Sequence, residues 1–305
     1  MASSDSNQRK IVTEFPGTIR VYDDGTVERL RDTDFVPPSI SVGGGGVSSK
    51  DVVINSNFSA RLYLPPHCHR KLPLLLYFHG GAFCISSPFC GKYHRYVSRL
   101  AAEARVVVVS FAYRLAPEHP IPAAYDDARA GIRWAVSHRA GNGPEPWLND
   151  HVDFDRVLLS GESAGGNIVH NLAMAVGDPE FGLGVGLSGI ALVCPYFSGS
   201  KPSNMWAFVC PSSPDNDDPR INPVGPKAPS LMGLGSKRVM VIVAGEDGLR
   251  DRGRLYYEGV EKSGWKGGAE FVEIEGEDHI FHLFNPDCEA AAGLFDSWAS
   301  FINHE

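Results

Sequence analysis

The chain has 305 residues, with 36 acidic against 28 basic side chains, a formal charge of −8 and 43% hydrophobic residues. A chain this long buries roughly three-quarters of its unfolded surface, enough for a core of its own, and scattered acidity argues against nucleic acid or an anionic membrane as partner. No run of about 18 apolar residues exists to span a bilayer, and Met1–Lys10 lacks the apolar stretch of a secretory signal, so a cytoplasmic location is expected.

Polar residues 1–15 are expected to be mobile or to wrap a cap over the site. Pro37-Pro38 and Gly43–Gly46 mark a flexible stretch before Asp51–Ile54, which opens a sheet, and Ala60–Leu64 alternates and pairs with it antiparallel. Further strands are predicted at 72–78, 105–111, 156–160, 188–194, 238–244 and 270–274. Helical stretches lie near 92–103, 123–138, 165–177, 252–263 and 286–303. Strands alternating with helices require a mostly parallel central sheet with helices on both faces, an α/β fold, and the whole of 1–305 reads as one domain. Cys68, Cys84, Cys90, Cys194, Cys210 and Cys288 show neither C-x-x-C pairs nor metal-ligand spacing; free thiols are expected, and no metal or cofactor.

The strand Leu74–Phe78 ends in His79-Gly80-Gly81-Ala82-Phe83. Glycines there let the backbone approach a substrate closely, so the N–H groups of Gly80 and Gly81, with that of Ala164, are candidate donors to a developing oxyanion. His79 reads as shaping that loop. In Tyr113-Arg114-Leu115-Ala116-Pro117-Glu118-His119, Arg114 and Glu118 read as a pair bracing a loop, and Asp126 and Asp127 as acids at the positive end of a helix.

Gly161-Glu162-Ser163-Ala164-Gly165 matches the G-x-S-x-G elbow, in which a sharp strand-to-helix turn exposes a nucleophilic serine. The strand Arg156–Ser160 before it and the breaker-poor run Ile168–Val176 after it supply the required setting. An acid and then a histidine should follow in chain order. Val239–Ala244 leads into Gly245-Glu246-Asp247-Gly248, and Phe271–Ile274 leads into Glu275-Gly276-Glu277-Asp278-His279. Asp247 and His279 therefore each stand just past a strand's C-terminal end, where open α/β sheets build their sites. Glu246 and Asp251 are the rival acids; His282, inside the apolar run Ile280–Phe284, is the rival base and reads better as a packed helical residue. In this arrangement His279 takes the Ser163 proton during attack on an ester and returns it to the leaving alcohol, while Asp247 holds the imidazole.

Together His79–Phe83, Tyr113–Glu118 and Gly161–Asn167 resemble the plant carboxylesterases, in the hormone-sensitive-lipase-like branch of the α/β-hydrolase fold. The resemblance runs from Ile19–Gly25 to Trp298–Ile302, nearly the whole chain. It implies a triad of Ser163, Asp247 and His279, with oxyanion donors at Gly80 and Gly81, in a serine carboxylester hydrolase acting on a small, fairly apolar ester. The same branch includes 2-hydroxyisoflavanone dehydratases, alkaloid cyclases and gibberellin receptors. The receptors lack the histidine that is present here as His279, and the legume dehydratases often carry threonine where this chain has Ser163. A dehydratase or cyclase of plant specialised metabolism is the alternative reading, and a non-catalytic receptor a distant third.

The resemblance also implies a small cap built from residues 1–50 and the loop near 198–225. Here only Ser203 and Asn204 separate Cys194–Pro202 from Met205–Pro211, where family members carry a longer segment, so the cap is expected to be short. Phe83, Cys84, Tyr196, Met205, Trp206 and Phe208 are candidates to line the substrate pocket. Helix packing is the equal alternative for Met205, Trp206 and Phe208, and a buried small hydrophobe the alternative for Cys84. The sequence carries no signal for oligomeric state.

Overall fold

Alternation of side chains along a strand splits the hydrophobic residues between two cores: Leu74, Leu76 and Phe78 enter one, Leu75 and Tyr77 the other. The computed structural model describes residues 9–40, 45–198 and 203–303. A three-stranded antiparallel sheet comes first, from β1 (Ile11–Phe15), β2 (Ile19–Tyr22) and β3 (Val27–Arg29). The main sheet follows, with β4 (Ser48–Asn55), β5 (Phe58–Leu64), β6 (Leu72–Phe78), β7 (Val107–Ala112), β8 (Val152–Glu162), β9 (Leu187–Val193), β10 (Arg238–Ala244) and β11 (Gly268–Ile274). Helices α1 (Gly91–Glu103), α2 (Ala123–Val136), α3 (Pro146–His151), α4 (Ala164–Gly177), α5 (Asn204–Val209), α6 (Arg250–Lys262), α7 (Phe281–Phe284) and α8 (Glu289–Asn303), with short 3-10 turns at Pro179–Phe181 and Leu231–Gly233, complete the described elements.

The strand order is β11-β10-β9-β8-β6-β7-β5-β4. From β6 to β11 every pairing is parallel, while β5 joins β7 and β4 joins β5 antiparallel. All seven residues of β6 are buried, as a parallel strand covered on both faces requires. Val97 and Leu100 of α1 pack with Leu294 and Trp298 of α8 on one face, and Ile132 of α2, Ile168 of α4 and Val260 of α6 lie on the other. The expected parallel sheet with helices on both faces is thus the fold observed. Because β7 and β8 lie on opposite sides of β6, the chain reverses its direction of travel at β6, and Phe78 stands in register with Gly161. The loops leaving β6 and β8 therefore meet at the switch point, where such sheets form their crevice.

In the N-terminal half, the mobile alternative for residues 9–15 and the pairing of Arg114 with Glu118 are corrected, while the contact of Phe15 with α5 fits the wrapping alternative. Residues 9–15 are not loose: β1 is hydrogen-bonded to β2, and the Phe15 ring lies 5.1 Å from that of Phe208. Residues 1–8, with Gly43 and Gly44, lie outside the described residues. Nor do Arg114 and Glu118 pair. Arg114 binds Asp127 at 2.7 Å, so that buried acid serves as a tertiary ion partner rather than a dipole acid. Glu118 instead accepts from both terminal nitrogens of Arg29, at 2.8 and 2.7 Å, and Arg29 Nε donates to the Cys84 carbonyl at 2.8 Å. The bidentate contact ties the small sheet to the loop after β7, and the Nε bond ties it to the loop after β6.

Glycines at the crossing of β6 and α4 are set by space. A Cβ at Gly165 would lie 1.9 Å from the Phe78 carbonyl oxygen and one at Gly161 2.4 Å from it, whereas one at Gly166 meets nothing nearer than 3.2 Å. Gly165→Ala is predicted to cost about 3 kcal/mol or more through overpacking and Gly166→Ala about 1 kcal/mol or less. Urea-unfolding midpoints measure both, and equal midpoints would contradict the close crossing.

Candidate active site

The strand β8 ends at Glu162, and Ser163 stands at the N-cap of α4 with φ 52° and ψ −117°. A non-glycine residue holds such a backbone only when its surroundings fix it. Here the Ser163 N–H donates to the Val193 carbonyl at 2.9 Å, and its carbonyl accepts from Tyr196 N–H at 2.8 Å and Asn167 N–H at 3.1 Å. His279 comes from the loop after β11 and Asp247 from the loop after β10. The His279 Nε2 lies 3.0 Å from Ser163 Oγ, and its Nδ1 lies 2.8 Å from Asp247 Oδ2. The other Asp247 oxygen accepts from Leu249 N–H at 2.8 Å.

Burial alone would raise the Asp247 pKa, but the hydrogen bond and charge of His279, the Leu249 N–H and the Cys194 thiol together lower it below the ordinary carboxylate value. An ionised Asp247 fixes the proton on Nδ1 and leaves Nε2 free to accept from the serine hydroxyl. The rivals are set aside by position. Asp251 pairs with Arg250 at 2.9 Å on the surface, and Glu246 is exposed, its N–H donating to the Glu277 carbonyl. His282 is fully buried against Tyr96, and burial brings its pKa down to about 3. Among the described residues one set of potential metal ligands occurs, Cys194, Asp247 and His279, with ligand atoms within 4.8 Å of one another. Two of its members already bond to each other in the Ser–His–Asp chain.

The oxyanion reading needs one correction. The Gly80 N–H is already engaged, donating to Glu162 Oε1 at 2.7 Å and to the Tyr93 hydroxyl at 2.9 Å. It cannot face a substrate. Among the described residues, the N–H groups of Gly81 and Ala82 meet no acceptor, and Ala164 opens α4, where helix geometry leaves the N–H free. The N–H groups left free to receive an acceptor are therefore those of Gly81, Ala82 and Ala164. Ala82 holds φ 51° and Gly81 φ 106°, so the loop turns left-handed as it passes the serine. His79 braces it: the ring stacks on Tyr113 with centroids 4.3 Å apart, and the Tyr113 hydroxyl donates to the His79 carbonyl at 2.7 Å.

Glu162 is the residue that the sequence motif hides, since G-x-S-x-G leaves that position open. Its carboxyl is buried and accepts from the Tyr77 hydroxyl as well as from Gly80 N–H. Burial raises its pKa, against the opposing hydrogen bonds of Tyr77, Tyr93 and Gly80.

Of the six pocket candidates three are buried and three, Tyr196, Met205 and Phe208, are half-buried. Phe83, Cys84 and Trp206 are fully buried; the Phe83 ring lies 6.3 Å from Trp206 and 6.4 Å from Tyr196, and Cys84 Sγ touches Met205 Sδ at 4.0 Å. Trp206 gives its indole N–H to the Ser213 carbonyl, and Phe208 packs on Phe15. The Tyr196 hydroxyl meets Ser203 Oγ at 2.7 Å. None of the six borders the cavity that opens beside His279 and Gly81.

Glu162→Ala is predicted to leave the Gly80 N–H and two tyrosine hydroxyls without their buried acceptor, at a cost of about 3 kcal/mol. The loop's register on the serine should loosen with it, so kcat falls more than KM rises, and Glu162→Gln, which keeps one acceptor, should be milder on both counts. Denaturant midpoints and ester kinetics report these effects; a KM change alone would contradict the role in holding the loop.

Residues 75–283 match the family model described as alpha/beta hydrolase fold. A 2-hydroxyisoflavanone dehydratase of Glycyrrhiza echinata is 44% identical over 327 residues, covering 99% of this chain and 100% of the relative. Probable carboxylesterase 2 of Arabidopsis thaliana is 41% identical over 317 residues, covering 98% of each. Among solved structures, EstE1, a thermophilic carboxylesterase from a metagenomic library, superposes with a TM-score of 0.70 at 28% identity, over 86% of this chain and 90% of its own. Together with a serine, histidine and aspartate in hydrogen-bonded sequence at the sheet's switch point, these likenesses mean that the chain belongs to the α/β-hydrolase family, as a carboxylesterase-like hydrolase with relatives in plants.

Proposed function

We propose that the protein is a serine carboxylester hydrolase acting on a small, fairly apolar ester through an acyl-enzyme. The contact that carries this reading is Ser163 Oγ to His279 Nε2 at 3.0 Å, continued from His279 Nδ1 to Asp247 at 2.8 Å. His279 accepts the hydroxyl proton as Ser163 Oγ attacks the ester carbonyl carbon. The carbonyl oxygen takes on negative charge facing the N–H groups of Gly81, Ala82 and Ala164. Collapse breaks the bond to the alcohol, which leaves with the proton from His279. Water, deprotonated by the same imidazole, then cleaves the acyl-serine and restores the hydroxyl. The aromatic group around Phe83 supports an apolar acyl half, and the contact of Phe15 with Phe208 supports a cap shared by the N-terminal sheet and α5.

A dehydratase that reuses His279 as base is the second reading, favoured by the 44% identical dehydratase relative. It needs no covalent bond to Ser163, and this separates the two. No helix among the described residues is long and apolar enough to cross a membrane. A cytoplasmic location belongs to the same proposal, supported by six unbonded cysteines, and imaging of a fluorescent fusion tests it.

Ser163→Ala is predicted to lower kcat on 4-nitrophenyl butyrate by at least ~10⁴-fold, and Asp247→Asn by ~10³ to 10⁴-fold, with the fold intact. An organophosphate should label wild type once, at Ser163. Undiminished turnover in Ser163→Ala would sink the nucleophile; wild-type protein inert to esters that eliminates water from a hydroxylated substrate would favour the dehydratase.

A further inference from the structure

The cavity beside the Ser–His pair has a volume of about 230 Å³, and Gly81 and His279 border it together with Arg31, Asp32, Ser86 and Lys92. Its charges do not cancel. Asp32 accepts from Lys92 Nζ at 2.8 Å and from the Ser86 hydroxyl at 2.5 Å, so one anion and one cation answer each other. Arg31, exposed at the rim, forms no ion pair within 4.0 Å among the described residues; its Nη2 donates to Thr18 Oγ1 at 3.4 Å, and it shares the field of Asp32 with Lys92, two cations against one anion. The segment bearing it is held on both sides, by Arg29 on Glu118 and by Asp32 on Lys92, which keeps Arg31 beside the cavity and leaves its wall with one positive charge in excess, in a chain whose formal charge is −8. The apolar group around Phe83 lies elsewhere, since none of its members borders this cavity.

The imidazole that must protonate the departing oxygen lines this cavity, so the part of the substrate beside it is the alcohol half. We infer that the cavity receives the leaving alcohol and that Arg31 selects an alcohol bearing a carboxylate, so that the preferred substrate is the ester of a hydroxy acid. A planar guanidinium matches a carboxylate with two parallel hydrogen bonds, which a neutral hydroxyl or amide does not reproduce. The inference rests on the ester-cleaving reading of Ser163. In balance, the ester carbon–oxygen bond breaks as the acyl–serine bond forms, the hydroxy acid leaves with the proton from His279, and water then releases the acyl group as a second carboxylic acid.

The test compares 4-acetoxybenzoate with its neutral isostere 4-acetoxybenzamide, each kcat/KM normalised to the ester's own rate of alkaline hydrolysis. Wild type should favour the carboxylate by about fivefold, the scale of a partly exposed ion pair, and roughly 1 M salt should erode that ratio. Arg31→Ala should bring the ratio to about one, while Arg31→Lys keeps part of it. The salt series on wild type stands even if a variant folds poorly. A wild-type ratio at or below one, a ratio indifferent to salt, or one that survives Arg31→Ala overturns the inference while leaving the esterase standing. Failure to cleave either ester overturns the esterase reading and this inference with it.

Discussion

The sharp reversal of the chain at Ser163 governs the rest of the molecule. A serine at φ 52° costs on the order of 1–3 kcal/mol, which the surroundings must offset. They do so with three backbone hydrogen bonds, from Val193, Tyr196 and Asn167, and with a crossing in which α4 leaves β8 so close to β6 that only glycine fits at Gly161 and Gly165. The same crossing sets Ala164 N–H opposite the loop after β6, and puts the hydroxyl at the switch point, where the loops after β10 and β11 deliver an acid and a base. Sheet order, glycine placement and nucleophile exposure are therefore one constraint seen at three scales.

Two buried carboxyls near this turn meet opposite fates. Asp247 is lowered because a histidine that gains charge during the reaction and an N–H donor outweigh its burial. Glu162 is raised because its partners, Tyr77, Tyr93 and Gly80 N–H, are all neutral and do not outweigh it. The division matches their surroundings: the first bonds the imidazole, and the second, bonded to neutral groups, holds the loop after β6 in place beside Ser163.

Much of this was legible in the sequence because the signals were long or chemically redundant. Leu72–Phe78 and Val239–Ala244 are apolar throughout, which a strand buried on both faces demands, and the expected spans 72–78 and 238–244 agree with the structure. Ser163, Asp247 and His279 were found because each follows a strand end in the required order, and the fold brings them into contact. What failed was local direction. His79-Gly80-Gly81-Ala82 announces consecutive N–H groups but not which of them turns to the substrate; that depends on Glu162, 82 residues away in sequence. Arg114 and Glu118 are close in the chain, yet each found a stronger partner elsewhere, in Asp127 and Arg29. The strands β1 to β3 are too short, and too mixed in exposure, for alternation to announce them.

The central claim is a covalent acyl bond to Ser163 made with the help of His279, and trapping that bond tests it most directly. Protein quenched in acid during turnover of 4-nitrophenyl acetate is digested, and its peptides are examined by mass spectrometry. The account predicts one acetyl group, on the peptide containing Ser163, in wild type and none in Ser163→Ala. Turnover without an adduct, or with the acetyl group on another residue, would contradict it.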